Sequence, residues 1–243
     1  MSAEIHRVDE DTELDETTER PAWSRWVIIG ATLVAVLLVG ATLGMFLTNT
    51  AGGEPATATP AAGSVEVGFA QDMSVHHLQA VTMANWARDH TTDPEVRQLA
   101  FDIGTTQLEQ VGRMKGWLML WDQPEQATGA YMTWMTDAGA MSGHGGMQMP
   151  QAVANGAPMP GMATSADLTK LRSLSGKALD VEFLQLMLRH HQGGTGMATY
   201  AQQHSDLLAL QQLTKSILTS QGAEMDLMNR MLGARGAAPL PAA

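Results

Sequence analysis

Two stretches of the chain place paired histidines between methionines at helical spacing. The first holds Met73, His76, His77 and Met83, and the second holds Met187, His190, His191 and Met197. Residues three, four and seven positions apart share one side of an α-helix. Each stretch therefore predicts a stripe of imidazole and thioether groups along a helix, and His90 and His204 extend the two stripes.

The two stretches belong to an internal repeat. With an offset of 114 residues, residues 69–118 align with residues 183–232 without a gap, and sixteen of the fifty positions are identical. The identical pairs include Met114 and Met228. Each copy predicts a helical hairpin, and two hairpins must pack together to bury their apolar faces. The sequence therefore predicts an all-α four-helix bundle built from two tandem repeats.

Helix boundaries follow from local signals. In the first repeat, Asp93 is a predicted N-cap and Pro94 a predicted first helical residue, after a helix that ends near His90. In the second, Ser165 is expected to cap a short helix, with further helices predicted over residues 181–204 and 205–232. Period-two alternation and hairpin turns are missing, so no sheet is predicted.

The stripes have two interpretations, core packing and metal binding. Methionine at helical spacing is usually core filler, and one histidine on an apolar face is more often a hydrogen-bonded core residue. Burying adjacent histidines costs free energy unless their ring nitrogens find partners. Because the chain accepts that cost twice in one register, we favour metal ligands. The predicted ligands are Met73, His76, His77, Met83, Met187, His190, His191 and Met197, with His90, Met114, His204 and Met228 as weaker candidates.

Nearby, Gly193, Gly194 and Gly196 predict either close helix packing or ligand access.

Copper(I) is the metal that this ligand set favours. Imidazole suits several transition metals, whereas thioether sulfur selects Cu(I). Di-iron bundles use Glu-x-x-His on facing helices, but this chain has Met at the Glu position of both motifs. Glu224 is the one obvious inward carboxylate, and its repeat counterpart is Gln110. Di-iron oxidase chemistry is therefore disfavoured. Enzymatic activity is left open, with a non-catalytic role favoured.

Residues 123–165 form an insert between the repeats that is rich in Met and Gly and is predicted to be largely irregular. Its candidate ligands are Met132, Met135, Met141, His144, Met147, Met149, Met159 and Met162. A mobile Met/His loop that captures Cu(I) or Ag(I) is one interpretation. Methionines packed on the bundle surface are the other, and the sequence does not separate the two.

The N-terminal part predicts a membrane anchor. Residues 1–25 carry eight acids against three arginines and are expected to be a disordered cytoplasmic tail, and residues 26–48 are uncharged and long enough to span a bilayer. Arginines precede the span, and no Lys or Arg follows it until Arg88, so the remainder is predicted to be extracytoplasmic. A cleaved signal peptide with secretion is the alternative.

After the apolar segment, residues 49–64 are a predicted linker, residues 65–232 form the predicted bundle, and residues 233–243 are a predicted disordered tail.

Composition excludes several classes. The net charge of −11 provides no basic patch for nucleic acid. The absence of cysteine excludes disulfides, thiolate metal sites and a cysteine nucleophile. No serine nucleophile motif, phosphate loop or dinucleotide fingerprint is present.

The segment "DVEFLQLMLRHHQGGTGMA", together with Q-x-x-E-M-x-x-M at Gln221–Met228, resembles the DUF305 family over about residues 67–232. The resemblance implies an exported bacterial protein with a ferritin-like bundle, and some members are implicated in periplasmic copper binding and tolerance. The first repeat departs from the family pattern at Gln110, where Glu is usual.

We interpret the chain as a membrane-anchored extracytoplasmic protein that binds Cu(I) for buffering, delivery or tolerance. Its expected partners are the metal ion, the membrane, and a copper-receiving or membrane protein. The alternative is a structural or interaction module that docks a membrane complex without metal chemistry.

Overall fold

A computed structural model describes residues 21–51, 59–135 and 156–241. These residues form six α-helices and no strand, which confirms the all-α prediction. The chain divides into two compact units, Met1–Ala58 and Thr59–Ala243, which are described separately.

Helix α1, Ala22–Ala51, lies in the first unit. Its stretch Ala22–Thr48 has a mean hydropathy of 2.4 and no buried residues. The hydroxyls of Thr32, Thr42 and Thr48 donate to carbonyls four residues earlier, so the helix satisfies its own polar groups. By length and composition α1 can cross a membrane, and near the N-terminus a signal sequence has the same properties.

The described residues of the second unit form five helices, and several of the helix ends follow local capping. Ser64 caps the N-terminus of the first, and Asp93 caps the next with Pro94 directly behind it, as predicted. The prediction of Ser165 as a cap is wrong by one residue. Thr164 takes that role because its side chain and that of Asp167 form a capping box. The helices are α2 (Val65–His90), α3 (Pro94–Leu120), α4 (Ser165–Ser173), α5 (Gly176–His204) and α6 (Leu208–Ala234).

The two repeats fold as the hairpins α2–α3 and α5–α6, which pack against each other through α2 and α5. Two hydrogen bonds show that the packing is a pseudo-two-fold. Thr91 donates to Asp180 at 2.5 Å, and Ser205 donates to Glu66 at 2.6 Å. The repeat offset maps Thr91 onto Ser205 and Glu66 onto Asp180. The start of each central helix therefore meets the end of the other, which makes α2 and α5 antiparallel.

Two apolar clusters fill the core of the bundle. The repeat offset maps three methionines of one cluster onto three methionines of the other. One contains Met73, Met114 and Met197, and the other contains Met187, Met228 and Met83. Of these six methionines, each cluster thus takes two from one repeat and one from the other. Along α2 and α5 the paired histidines stand between the methionines of the two clusters.

The beginning of the insert is fastened to α2 by a buried carboxylate. Asp72 accepts hydrogen bonds from the Met132 backbone N–H at 2.7 Å and from the Trp134 indole at 2.9 Å. Burial raises the pKa of Asp72, and these two hydrogen bonds act against that rise. The Trp134 side chain lies against Gly68, where a Cβ would overlap it. The insert therefore closes the first apolar cluster over this end of the bundle.

Residues 156–164, the crossing segment, run over α5 and reach α2. The Gln79 side chain exchanges two hydrogen bonds with the Ala163 backbone, at 2.6 and 2.9 Å. Gly161 adopts a φ of +76° against the backbone of α5. A Cβ at Gly193 would overlap the Pro160 carbonyl and lie 2.8 Å from the Gly161 Cα. Gly193 therefore allows close backbone packing, one of the two roles that the sequence leaves open.

We expect Gly193→Ala to lower the free energy of unfolding. Its Cβ meets backbone atoms rather than a flexible side chain, so the segment or α5 must shift, at a cost of about 1–3 kcal/mol. Gly112→Ala is the matched control because nothing lies within 4 Å of its Cβ position, and it should gain roughly 0.5–1 kcal/mol. Urea unfolding followed by circular dichroism compares the two, and equal stability of Gly193→Ala and wild type would contradict the account.

Candidate metal centre

Four histidines lie fully buried where α2 and α5 face each other. His76, His77, His190 and His191 each have a relative exposure of 0%. The rings of His76 and His190 have centroids 3.8 Å apart and planes tilted by 36°. Gly194 allows this approach, because a Cβ there would lie 3.1 Å from Cε1 of His76. The structure thus brings together the four paired histidines of the two predicted stripes.

Each of the four rings uses its Nε2 in one hydrogen bond. His76 contacts the Pro160 carbonyl at 3.1 Å, and His190 contacts the backbone carbonyl of His76 at 2.9 Å. Their acceptors thus come from the crossing segment and from α2. Since a carbonyl oxygen only accepts, Nε2 must carry the proton in both rings.

The second member of each pair bonds to a side chain of its own hairpin. His77 Nε2 lies 2.8 Å from Oε1 of Gln110, and His191 Nε2 lies 2.6 Å from Oε2 of Glu224. The repeat relates these two contacts, because each joins residues 33 positions apart. Nε2 is again the donor, so all four rings carry a proton on the same nitrogen.

The opposite nitrogen of each ring, Nδ1, is buried without a hydrogen-bond partner among the described residues. In a neutral imidazole with the proton on Nε2, Nδ1 carries a lone pair. Metal-binding histidines in proteins have this arrangement, in which the second nitrogen donates to a carbonyl or a carboxylate and thereby fixes the tautomer. Four such nitrogens in one core are the principal feature of the site.

Burial keeps the rings of His76, His77 and His190 neutral near neutral pH. Desolvation lowers the pKa of His76 to about 4, and the hydrogen bond to the Pro160 carbonyl opposes that shift. The pKa of His77 is lowered to about 3 by burial first and then by charge on His76 and His191. The pKa of His190 is lowered well below its usual value for the same reasons. A metal ion therefore does not have to displace a proton from these three rings near neutral pH.

Thioether groups lie on both sides of the histidines. All six methionines of the predicted set are at most 1% exposed, three in each apolar cluster: Met73, Met114 and Met197, and Met83, Met187 and Met228. The weaker candidates Met114 and Met228 are as deeply buried as the other four.

Two glutamines belong to this core although the sequence analysis did not predict them. The side-chain amides of Gln107 and Gln221 are buried without a hydrogen-bond partner among the described residues. The Oε1 of Gln221 lies beside Gly194, next to the ring of His76. The available signal was that the repeat keeps both residues, since identical buried polar residues in two copies indicate a shared role.

The structure does not bring His90 and His204 into this core. Both are exposed at the C-terminal ends of α2 and α5, about 21 Å beyond His76 and His190 at the helical rise of 1.5 Å per residue. Their Nδ1 atoms lie 2.9 Å from the backbone carbonyls of Trp86 and Tyr200, and their rings stack on the same aromatic side chains.

The described methionines of the insert pack against protein. Met132, Met159 and Met162 are at most 5% exposed in the cluster that holds Met73, and Met135 packs against it. For these four the packing interpretation holds. Met141, His144, Met147 and Met149 lie outside the described residues.

The arrangement fits a soft metal of low coordination number better than a hard one. Within the described ranges no three His, Asp or Glu side chains are close enough to hold an ion together, so an all-nitrogen or carboxylate cage is not formed. Imidazole Nδ1 atoms and thioether sulfurs are the donors in the core. This donor set defines a helical bundle with a buried imidazole–thioether core.

The family follows from direct comparison. The model of the domain of unknown function DUF305 matches residues 66–232, and the chain belongs to the DUF305 family. A DUF305 protein from Streptomyces coelicolor, a candidate secreted protein, is 42% identical with a TM-score of 0.64 over 74% of this chain and 99% of its own. A DUF305 fragment from Deinococcus radiodurans is 28% identical with a TM-score of 0.56 over 72% of this chain and 99% of its own.

CopM is a more distant structural neighbour. Its Cu(II)-bound form is 26% identical with a TM-score of 0.51, over 70% of this chain and 96% of its own. Its Cu(I)-bound form, at 23% identity and the same TM-score, shows the common fold alone. No curated protein matches the chain.

The free energy of unfolding of the metal-free chain should fall as the pH drops from about 6.5 towards 4. In the folded state His76 binds a proton only near pH 4, whereas in the unfolded chain its pKa is 6.5. The unfolded state therefore binds more protons across this window, and acid favours it. Each such histidine contributes up to about 1.4 kcal/mol per pH unit.

Urea unfolding with a chelator present, between about pH 7 and about pH 4.5, measures this slope. His77→Gln, which retains an N–H donor, should make the dependence shallower. A stability that does not change with pH across the window would show that the imidazoles are not buried in the neutral form.

Proposed function

We propose that this DUF305 protein binds copper, most tightly as Cu(I), in the imidazole–thioether core of its bundle. The observation that carries the proposal is the set of four buried histidines with Nε2 committed to an acceptor and Nδ1 unpartnered among the described residues. Leaving such nitrogens without partners costs free energy, and a metal ion is the partner that this tautomer suits.

The choice of copper rests on the donor set and on the neighbour. Thioether sulfur favours Cu(I) over Zn(II) and Fe(II), and imidazole accepts all three. CopM, whose Cu(II)-bound form is 26% identical to this chain, supports copper as the metal. The ligands would be the Nδ1 atoms of His76, His77, His190 and His191 with thioethers of the flanking methionines.

The role that fits such a site is buffering, delivery or tolerance. Helix α1 would hold the bundle at the outer face of the membrane, because arginines precede its apolar stretch and none follows it before Arg88. In this position the bundle would meet copper before the ion crosses the membrane. Exposed apolar side chains on α3, including Phe101 and Leu108, would offer a surface to a receiving protein.

The copper site is tested by titrating the full chain in detergent with Cu(I) against a chromophoric chelator. Replacing His76, His77, His190 and His191 by Gln retains N–H donors for the same acceptors but removes every Nδ1 ligand. We expect tight binding to be lost. The matched control is His90→Gln with His204→Gln, which changes two exposed histidines and should leave the affinity unchanged.

Replacing Met73, Met114 and Met197 by Leu tests the thioethers with little change in core volume. Cu(I) affinity should fall, whereas Met119→Leu on the exposed end of α3 should have no effect. Wild type that takes up no copper would overturn the proposal, and the bundle would then be an interaction module.

The anchor is tested by the mass of the protein isolated from membranes. An uncleaved chain has a mass of 26.0 kDa and should resist extraction by salt and carbonate, with the bundle accessible to protease from outside. A shorter species found in the medium would show that α1 is a cleaved signal sequence.

A further inference from the structure

The second histidine of each pair bonds to a chemically different side chain at an equivalent position of the repeat. His77 donates to the amide oxygen of Gln110, and His191 donates to the carboxylate of Glu224. The repeat maps Gln110 onto Glu224, and the two residues have the same number of side-chain atoms. The two halves of the core therefore differ at this point by one negative charge.

Glu224 is the one acid that bonds to a buried imidazole in the described part of the chain. The buried acids of the described residues are committed elsewhere: Asp72 to Met132 and Trp134, Asp180 to Thr91, and Glu182 to Lys170. His76 and His190 donate to backbone carbonyls. The carboxylate of Glu224 thus acts on the core through its hydrogen bond with His191.

A carboxylate behind an imidazole strengthens the opposite nitrogen as a ligand. It orients the ring, raises the electron density at Nδ1 and compensates the charge of a bound cation. The Glu224 side chain is 17% exposed and its His191 partner is fully buried, so water screens this interaction less than it would at the surface. The amide of Gln110 orients His77 in the same way but brings no net charge.

We infer that Glu224 makes the two halves of the core unequal, so that the first copper ion binds on the His191 side and more tightly than any ion on the His77 side. The inference rests on the proposed copper binding and adds its order of filling. Glu224 acts as a positioning and charge-compensating residue behind His191 and is not itself a ligand.

Reciprocal substitutions test the inference on the full chain in detergent, with Cu(I) titrated against a chromophoric chelator. Glu224→Gln gives His191 an amide partner, as His77 has in Gln110. It should weaken the tightest binding step by roughly 10–100-fold. Gln110→Glu places a carboxylate behind His77 and should tighten binding on that side by a similar factor. A gain of affinity cannot arise from a merely structural role.

Glu109→Gln is the matched control. It removes the same charge one position from Gln110, but Glu109 is exposed and pairs with Arg113, so binding should not change. The thermal unfolding temperature of each metal-free variant identifies any loss of affinity that comes from misfolding, and the Gln110→Glu gain does not depend on that correction.

The outcomes separate the two proposals. If Glu224→Gln and Gln110→Glu bind copper as wild type does, while the four-histidine variant has lost it, the inference is overturned and copper binding stands. If the wild type binds no copper, both are overturned. A weaker first step in Glu224→Gln together with tighter binding in Gln110→Glu establishes the order of filling.

Discussion

Four imidazoles buried between two apolar clusters are the constraint on which the rest of the bundle depends. A buried ring N–H without an acceptor would cost several times the free energy that one hydrogen bond usually contributes. The fold therefore supplies an acceptor for each Nε2, from four different sources: the crossing segment, the backbone of α2, Gln110 and Glu224. Gly193 and Gly194 are small because two of these arrangements require close approach to α5.

Satisfying one nitrogen of each ring leaves the other in a defined state. In His76, His77 and His190, Nε2 donates and burial lowers the pKa, so Nδ1 keeps its lone pair near neutral pH. An ion bound at the site that we propose would therefore meet nitrogens that are already positioned. The same elements that stabilise the bundle also prepare the site that we propose.

Duplication explains both the symmetry of the core and its departures from symmetry. The pseudo-two-fold relates the two histidine pairs, the buried Gln107 and Gln221, and three methionines of each cluster. Elements outside the repeat depart from this symmetry. The crossing segment accepts a hydrogen bond from His76 and not from His190, and the insert bonds to Asp72 of the first repeat. Gln110 and Glu224 break the symmetry within the repeat. A duplicated scaffold can in this way hold two similar groups of ligands in different electrostatic surroundings.

The sequence by itself determined the helical hairpins, the cap at Asp93 with Pro94, the DUF305 family and the inward stripe of histidines and methionines. These depend on local chemistry and on helical periodicity, which the repeat shows twice. Only the tertiary structure decided which ring nitrogen is free, because the partner of His76 is Pro160, 84 residues away. It also decided that His90 and His204 are exposed and that Met132, Met159 and Met162 are buried. Periodicity tells which side of a helix a residue lies on, whereas burial depends on which distant segment covers that turn.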